Sequence, residues 1–273
     1  MQASSTWSPP SGTLGTIVEE ARARARALGH RAAELTRRAA DAPNGPLLGA
    51  ALQGSTVAVI AEVKRRSPSK GWIQPEMNAA EQAKSYEKAG ASAISVLTEP
   101  RHFAGSPEDL VAAREVVSVP ILKKDFHLER VQLLEAKAIG ASAALLIVRA
   151  LGPRSLREMV TAAKELSLEV VVEIRDENEL DLALETGASI IGINNRNLET
   201  LEMDPSTSER LLRRVPTGIV AIAESGVTGR ADVERVARAG ADAVLVGSAV
   251  SSASNPAEAV RTLTGVSRIA RGD

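Results

Sequence analysis

The sequence predicts an α/β protein of the (β/α)8 type, a closed TIM barrel with an N-terminal helical extension. Three observations favour this fold: eight short β-rich runs, a helix-period segment after each of them, and a glycine-containing tripeptide that recurs before alternate strands. The chain has 273 residues, of which 44% are hydrophobic. That is enough for one core of the size that such barrels need.

Eight runs rich in Val, Ile, Leu and Ala are expected to be the strands. Their ends recur roughly every 26 residues, which is the length of one βα unit. Because the runs are almost continuously apolar, they are typical of a parallel sheet that is covered on both faces. We place the strands at 57–64, 92–98, 119–125, 143–148, 169–174, 190–195, 219–224 and 243–247.

The tripeptide Gly-Ala-Ser or Gly-Ala-Asp lies four times between a helical segment and the next strand. It begins at Gly90, Gly140, Gly187 and Gly240. Glycine is common just past a helix end, because it accepts the left-handed conformation without a Cβ clash. The repeat indicates one recurring structural solution and favours a closed barrel, with a doubly wound open sheet as the structural alternative.

Residues 1–50 are expected to form a leader and a helical extension, and residues 51–273 the catalytic barrel, within one structural domain. Apolar residues at three- and four-residue steps over 14–40 predict one or two helices, interrupted at Gly29. We interpret residues 1–15 as a short disordered leader. The arginines of the predicted helices are interpreted as a solvated basic face: Arg22, Arg24, Arg26, Arg37 and Arg38.

The composition argues against several classes of function. The 33 basic and 34 acidic residues leave a formal net charge of -1, whereas proteins that bind nucleic acid usually carry a basic surplus. The lack of cysteine excludes a disulfide framework, a thiol nucleophile and a thiolate metal site. We find no apolar run long enough to span a membrane and no secretory signal, so we expect a cytoplasmic protein.

Charged and amide side chains stand at the ends of five predicted strands. In a barrel these ends meet at one mouth, where the active site lies. Opposite charges that share a small volume tune one another's pKa toward the working pH, which acid–base chemistry needs. We therefore predict a catalytic centre without a metal, because too many of the groups are cations. Its members are Glu62, Lys64, Lys124, Asp125, Glu173, Asn194, Arg196 and Glu224.

The last two strands end differently, in Ser225-Gly226 and in Gly247-Ser248. Loops after these two strands of a barrel commonly form a phosphate site, where glycines let backbone N–H groups approach the anion. Asn255 and Pro256 then resemble a helix N-cap followed by proline at the first helical position. This pattern predicts a phosphorylated small-molecule substrate.

Aromatic residues make up 2% of the chain, and both phenylalanines follow predicted strands. Phe103 and Phe126 could lie at the mouth and sandwich a planar ring, although ordinary loop packing is the alternative. Trp72, in the loop after the first strand, is interpreted as a loop anchor. In the first of these two interpretations, the phenylalanines add an aromatic subsite to the predicted site.

Several motifs together resemble the indole-3-glycerol-phosphate synthase family over about residues 14–265. The most specific are AEVKRRSPS, KKDF and INNRNLET, and the family's order along the chain is kept. The others are SVLTEPRHFAGS, EVVVEI, AESGV and LVGS. The resemblance implies a decarboxylating, dehydrating ring closure of 1-(2-carboxyphenylamino)-1-deoxyribulose 5-phosphate to indole-3-glycerol phosphate in tryptophan biosynthesis, without a cofactor or a metal.

The resemblance also implies a role for each predicted site residue. Lys124 would protonate the substrate's ketone oxygen, since strand alternation points its neighbour Lys123 away from the barrel interior. Later proton transfers would fall to Lys64, Glu62 and Glu173, in a division that the sequence leaves open. The remaining roles are as follows: Asn194, Arg196 and Ser67 would bind substrate, Glu224 would orient the network, Ser225, Gly226, Gly247 and Ser248 would hold the phosphate, and Phe103, Phe126 and Leu198 would line the anthranilate ring.

Two other functions stay open at this point. One is a related phosphate-binding barrel such as phosphoribosylanthranilate isomerase, whose usual acid–base pair includes a cysteine that this chain lacks. The other is a non-catalytic barrel that binds a sugar phosphate, which would not need lysines and glutamates at five strand ends. We expect no nucleic acid, no membrane and no obligate protein as a partner.

Overall fold

The computed structural model describes residues 7–272. Eight parallel strands close into a barrel in which each strand pairs with its neighbours along the chain. The first strand pairs with both the second and the last, so the open-sheet alternative is wrong. The strands are β1 Ala58–Val63, β2 Ala93–Leu97, β3 Ile121–Lys124, β4 Ala143–Ile147, β5 Glu169–Ile174, β6 Ile190–Asn194, β7 Val220–Glu224 and β8 Ala243–Val246.

Each strand lies inside the range that the sequence predicted for it. The largest difference is at the third strand, where the predicted range 119–125 shortens to Ile121–Lys124 because Pro120 has no N–H to donate to a sheet. A short antiparallel hairpin lies in the loop after β1, and its two strands, Arg66–Ser67 and Gly71–Trp72, have two residues each. The predicted barrel is therefore confirmed.

The helices alternate with the strands and cover the outside of the barrel. Within the described chain they are α1 Gly12–Gly29, α2 Ala32–Asp41, α3 Leu48–Ala51, α4 Ala79–Lys88, α5 Pro107–Arg114, α6 Arg130–Ala138, α7 Val148–Glu165, α8 Glu177–Glu185, α9 Ser206–Leu212, α10 Arg230–Arg238, α11 Ser248–Ser251 and α12 Pro256–Leu263. As predicted, α1 ends at Gly29, and α12 has Asn255 as its N-cap with Pro256 in its first turn.

The glycines of the recurring tripeptide all have positive φ angles. These are 98° at Gly90, 88° at Gly140, 69° at Gly187 and 97° at Gly240. Each lies two residues beyond the last residue of a helix. The repeated turn that the sequence predicted is confirmed.

Strand alternation divides the core into two layers. In β1, Val59 and Ala61 pack against the surrounding helices, whereas Ala58 and Ile60 belong to the cluster that fills the barrel. Glu62 continues the inward series, because side chains two residues apart share a face. The strand register then sets neighbours at the mouth: Asn194 pairs with Glu224, and Ile147 with Glu173.

The N-terminal extension packs on the barrel, which corrects two expectations. The disordered leader is wrong for residues 7–15, since α1 begins at Gly12 and the Ser11 N–H donates to Glu199 Oε1 at 2.6 Å; the rest of that prediction lies outside the described residues. The solvated basic face is wrong for Arg24, which forms an ion pair with Asp125. No helix of the described chain has the length and apolarity needed to cross a membrane.

Candidate active site

A cavity of about 540 Å³ opens at the carboxyl ends of the strands. Every residue that the sequence assigned to catalysis, substrate or phosphate contributes to its wall. They are Glu62, Lys64, Ser67, Phe103, Lys124, Phe126, Glu173, Asn194, Arg196, Leu198, Glu224, Ser225, Gly226, Gly247 and Ser248. The structure thus brings together residues that are spread over more than half of the chain.

Lys124 lies between two glutamates at the floor of this cavity. Its Nζ donates to Glu224 Oε2 at 2.6 Å and to Glu173 Oε2 at 3.1 Å. Burial lowers the pKa of Lys124, but the charges of Glu224, Glu173 and Glu62 outweigh that effect and raise the pKa above its usual range. Lys124 is therefore held as a charged ammonium whose protons point at two acceptors.

Glu224 is the most deeply buried carboxyl group of this cluster. Its side chain is buried, and its Oε1 makes no hydrogen bond with the described part of the chain. Burial raises the pKa of Glu224 to about 7, although the charge of Lys124 opposes the rise. The group can therefore gain or lose a proton near neutral pH.

Gly192 of β6 makes room for that carboxyl group. A β-carbon at this position would collide with Glu224 Oε1 and would come within 3.0 Å of Val171 Cγ1. The sequence analysis missed this residue. The available signal was a glycine inside the apolar run IIGIN, which marks a close approach in a strand.

Asn194 and Arg196 extend the network along the sixth strand and its loop. Asn194 Nδ2 donates to Glu173 Oε1 at 3.1 Å, and its Oδ1 accepts from the Arg196 N–H at 2.9 Å. The guanidinium of Arg196 donates to the Leu201 carbonyl at 2.8 Å. One edge of the guanidinium is thus fixed by the loop while the residue still lines the cavity.

A second ion pair lies at the end of β1. Lys64 Nζ donates to Glu62 Oε1 at 2.7 Å, and Ser95 Oγ contacts Glu62 Oε2 at 3.5 Å. Gly247 packs against this pair, and a β-carbon there would collide with Glu62. Gly247 therefore leaves the space that the Glu62–Lys64 ion pair occupies, in addition to its place in the loop.

The loops after β7 and β8 form one end of the cavity. Ser225 and Gly226 adopt left-handed conformations, with φ of 64° and 85°. Gly247 is the N-cap of the short helix α11, which begins at Ser248. Backbone N–H groups at turns and at helix starts commonly donate to anions, so these two loops suit a phosphate. Lys70, which the sequence analysis did not select, also lines the cavity.

The apolar wall of the cavity contains both phenylalanines. Their ring centroids are 6.3 Å apart at an interplanar angle of 37°, a separation of rings in direct contact. The prediction that the two phenylalanines sandwich a planar ring is therefore wrong, because no space for a third ring lies between them. The two rings instead form one continuous wall.

The interpretation of Trp72 as a loop anchor is also wrong. Its side chain is 60% exposed and lies beneath the Arg66 guanidinium.

Lys123 and Asp125 show how the third strand separates its charges. Lys123 Nζ points outward to Glu135 of α6 at 2.8 Å, as strand alternation predicted. The Asp125 carboxylate accepts from Arg24 and, at 2.7 Å, from Thr98 Oγ1. The sequence placed Asp125 at the mouth but did not identify its arginine partner.

One group of side chains in residues 7–272 has the composition of a metal site: Glu20, Glu99 and His102. Glu99 accepts backbone N–H groups from the loop after β2, at 2.6 Å from His102 and 3.1 Å from Phe103. Glu20 pairs with Arg101. These oxygens are thus engaged in holding the loop, and none of the three residues lines the main cavity.

Comparisons with known proteins agree on one family. A family model described as indole-3-glycerol phosphate synthase matches residues 14–263. The chain is 45% identical over 258 residues to indole-3-glycerol phosphate synthase 2 of Streptomyces coelicolor, covering 93% of this chain and 100% of that one. It is 49% identical over 230 residues to the indole-3-glycerol phosphate synthase of Streptomyces griseus, covering 84% and 86%.

A solved structure supports the fold alone. Thiamine phosphate pyrophosphorylase from Pyrococcus furiosus superposes with a TM-score of 0.58 at 16% sequence identity, over 77% of this chain and 94% of that one. Identity at this level carries no statement about activity. The likeness agrees with the closed barrel described above.

Proposed function

The chain belongs to the indole-3-glycerol phosphate synthase family, and from that premise we propose how the residues of its cavity divide the ring-closing reaction. The substrate is 1-(2-carboxyphenylamino)-1-deoxyribulose 5-phosphate, and the products are indole-3-glycerol phosphate, CO2 and water. One observation carries the proposal: Lys124, an ammonium donor, is held between Glu173 and Glu224 on the cavity floor. A positioned acid with two adjacent carboxylates is the arrangement that stepwise proton transfer needs.

Lys124 is the acid of the first step. The ring carbon that bears the carboxylate attacks the ketone carbon, and the ketone oxygen takes a proton from Lys124 Nζ. Two hydrogen bonds fix the direction of this ammonium, so little reorganisation is needed when the oxygen becomes basic. Loss of CO2 then restores the aromatic ring.

Glu173 and the Glu62–Lys64 pair perform the later proton transfers. The hydroxyl group leaves as water with a proton from Lys64, whose charge is held 2.7 Å from Glu62. Glu173 takes the carbon-bound proton that is lost as the indole forms. Glu224 orients Lys124 and, with a pKa raised to about 7 by burial, adjusts the charge of the cluster.

The remaining wall residues bind the substrate. Backbone N–H groups of the two final loops and the hydroxyl groups of Ser225 and Ser248 hold the phosphate, next to Gly226 and Gly247. The anthranilate ring lies against the apolar wall, and Asn194, Arg196 and Ser67 bind its carboxylate and the sugar hydroxyls. The wall residues are Phe103, Phe126 and Leu198.

A direct assay tests this function. Purified protein should convert the carboxyphenylamino-ribulose phosphate into a fluorescent indole product without added metal, nucleotide or protein partner. Activity that a chelator abolishes would contradict the metal-free mechanism. Isomerisation of phosphoribosylanthranilate without indole formation would favour the related barrel, and binding of the sugar phosphate without turnover would favour a non-catalytic role.

The cellular setting is part of the same proposal. We propose that the enzyme works in the cytoplasm on a small phosphorylated molecule, with no dependence on nucleic acid or a membrane surface. Its charge balance of 33 basic and 34 acidic residues supports this view. Cell fractionation followed by the same fluorescence assay tests the location, and activity confined to the membrane fraction would contradict it.

A further inference from the structure

A smaller cavity of about 120 Å³ adjoins the main one. The two cavities share five lining residues, which are Ile147, Glu173, Asn194, Arg196 and Leu198. The smaller cavity continues past them to the start of helix α8, and its volume is enough for several water molecules. Glu173 therefore has access to two spaces, one for substrate and one polar enough for water.

The proposed reaction needs a proton from outside the site. Ring closure adds a proton to the ketone oxygen, and dehydration adds another to the leaving hydroxyl group, whereas indole formation returns a single carbon-bound proton. Because the substrate loses its carboxylate as neutral CO2, each turnover consumes one proton overall. Lys124 and Glu173 line the cavity that the substrate fills in the proposed function, so a proton would reach them from another side while substrate is bound.

Glu179 of α8 is the acidic side chain of the smaller cavity that is best placed for this task. Its Oε2 accepts from the Arg175 N–H at 2.7 Å, and its side chain lines the same cavity wall as Glu173. Burial raises the pKa of Glu179 to about 7, and the charges of Asp176 and Glu173 add to the rise. The group is half-buried, so solvent can reach it.

We propose that Glu179 and the smaller cavity deliver this proton from solvent to Glu173, and from there to Lys124. The Glu179 O–H gives its proton to water in the cavity, and Glu173 takes a proton from that water. Glu173 then protonates the Lys124 amine that has given its own proton to the ketone oxygen, across the 3.1 Å contact between them. Glu179 regains a proton from solvent, and the carbon-bound proton that Glu173 takes later passes through the released water molecule to Lys64, so that one external proton is consumed per turnover. This inference rests on the proposed function.

The other charged groups around the smaller cavity are already engaged in hydrogen bonds or stay charged. Arg149 holds Glu199 through two hydrogen bonds, of 3.0 and 2.9 Å, and Asp176 caps α8 by accepting from the Glu179 N–H at 2.9 Å. Arg175 also lines the cavity but stays charged at any working pH. Glu179 is thus the carboxyl group that lines this cavity together with Glu173 and has a pKa near neutrality.

The test is a single-turnover experiment with a pH-indicator dye in weakly buffered solution, which follows proton uptake and indole formation together. Glu179→Gln keeps an oxygen that can accept from the Arg175 N–H but cannot carry a proton. We expect proton uptake to slow by roughly tenfold, with substrate binding unchanged. Millimolar imidazole, a small proton carrier, should restore the rate. Glu179→Asp, which keeps a carboxyl group, should retain most of the uptake rate.

Asp181→Asn is the matched control, because Asp181 is an exposed acid on the same helix. Proton uptake by Glu179→Gln at the wild-type rate would overturn the relay. A loss of uptake that imidazole does not restore would also overturn it, and so would an equal loss in Glu179→Asp. Either of these two losses would indicate a helix-capping role. A wild-type protein without turnover would instead contradict the proposed function.

Discussion

Arg24 of the N-terminal helix binds the carboxylate of Asp125 through two hydrogen bonds, of 3.1 and 2.8 Å. Asp125 directly follows Lys124, and its side chain is 3% exposed. The backbone next to the Lys124 ammonium group is thus held in part by Arg24, which lies 101 positions before Asp125 in the chain. The extension therefore belongs to the structure that supports the site.

Arg24→Ala should destabilise the protein and lower its turnover. The substitution leaves a buried carboxylate with Lys123, 3.8 Å away, as its remaining cationic contact, and breaking a buried pair costs about 3 kcal/mol. Urea unfolding measures the loss, and kcat measures the disturbance of Lys124. Arg26→Ala is the control, because Arg26 is exposed on the same helix. Equal unfolding free energies for the two variants would show that the pair contributes nothing.

The stability that Asp125 provides should depend on pH. Burial raises the pKa of Asp125, but the charges of Lys123 and Arg24, together with the Arg24 hydrogen bond, outweigh it and hold the pKa well below the usual range. A carboxyl group whose folded pKa is depressed stabilises the fold above its unfolded pKa of about 3.9 and loses that effect as the pH falls further.

The measurement is the free energy of unfolding of wild type and Asp125→Asn over a pH series. We expect a large difference between them near neutral pH, which shrinks as the pH falls from about 5 towards 2. Asp181→Asn, an exposed substitution, should differ little from wild type throughout. A difference between wild type and Asp125→Asn that stays constant down to acid pH would mean that the ion pair is not its source.

Gly192→Ala should impair catalysis with little loss of fold. The added β-carbon would collide with Glu224 Oε1 and force the carboxyl group away from Lys124, to which Oε2 now accepts at 2.6 Å. Loss of one aligned partner of the acid should lower kcat by roughly tenfold to a hundredfold. Gly29→Ala, at a glycine with open space around it, is the control. A kcat within twofold of that control would refute the positional role.

The sequence predicts the members of the cavity wall well, for a physical reason. In parallel strands the side-chain period is two and every carboxyl end meets at one rim, so Glu62, Lys124 and Glu173 could be placed together without any knowledge of helix packing. The same alternation assigned Lys123 to the outside, where Glu135 binds it. Local rules sufficed because the barrel closes.

The residues that the sequence did not identify depend on contacts between distant parts of the chain, or on the space that they leave free for another side chain. Arg24 lies on a helix face rich in arginine, and nothing in its local sequence distinguishes it from Arg22 until the fold brings α1 next to Asp125. Gly192 matters because of the direction that the Glu224 side chain takes. Glu179 has the pattern of an ordinary helix-capping acid, and its position beside Glu173 depends on how α8 packs.

Glu199 should set the affinity for substrate through the N-terminal segment. Its carboxylate accepts from both the backbone and the hydroxyl of Ser11 and from the guanidinium of Arg149. Glu199 follows Leu198 in the loop that carries Arg196, so Glu199→Ala should loosen that loop. We expect KM to rise several-fold with a smaller change in kcat. Glu202→Ala, an exposed acid of the same loop, is the control, and equal KM values would contradict the prediction.

Two neighbouring lysines should separate catalysis from stability. Lys124→Ala removes the acid between Glu173 and Glu224 and should lower kcat by about 10²–10⁴-fold, the usual contribution of a positioned acid. Lys123→Ala instead leaves Glu135 without its 2.8 Å partner outside the barrel. Its main effect should therefore be a lower midpoint of thermal unfolding rather than a lower kcat. Steady-state assays and thermal unfolding of both variants decide the matter. A loss below tenfold in a folded Lys124→Ala would place the acid elsewhere, because strand alternation gives this cavity one lysine from β3 and directs the other away from it.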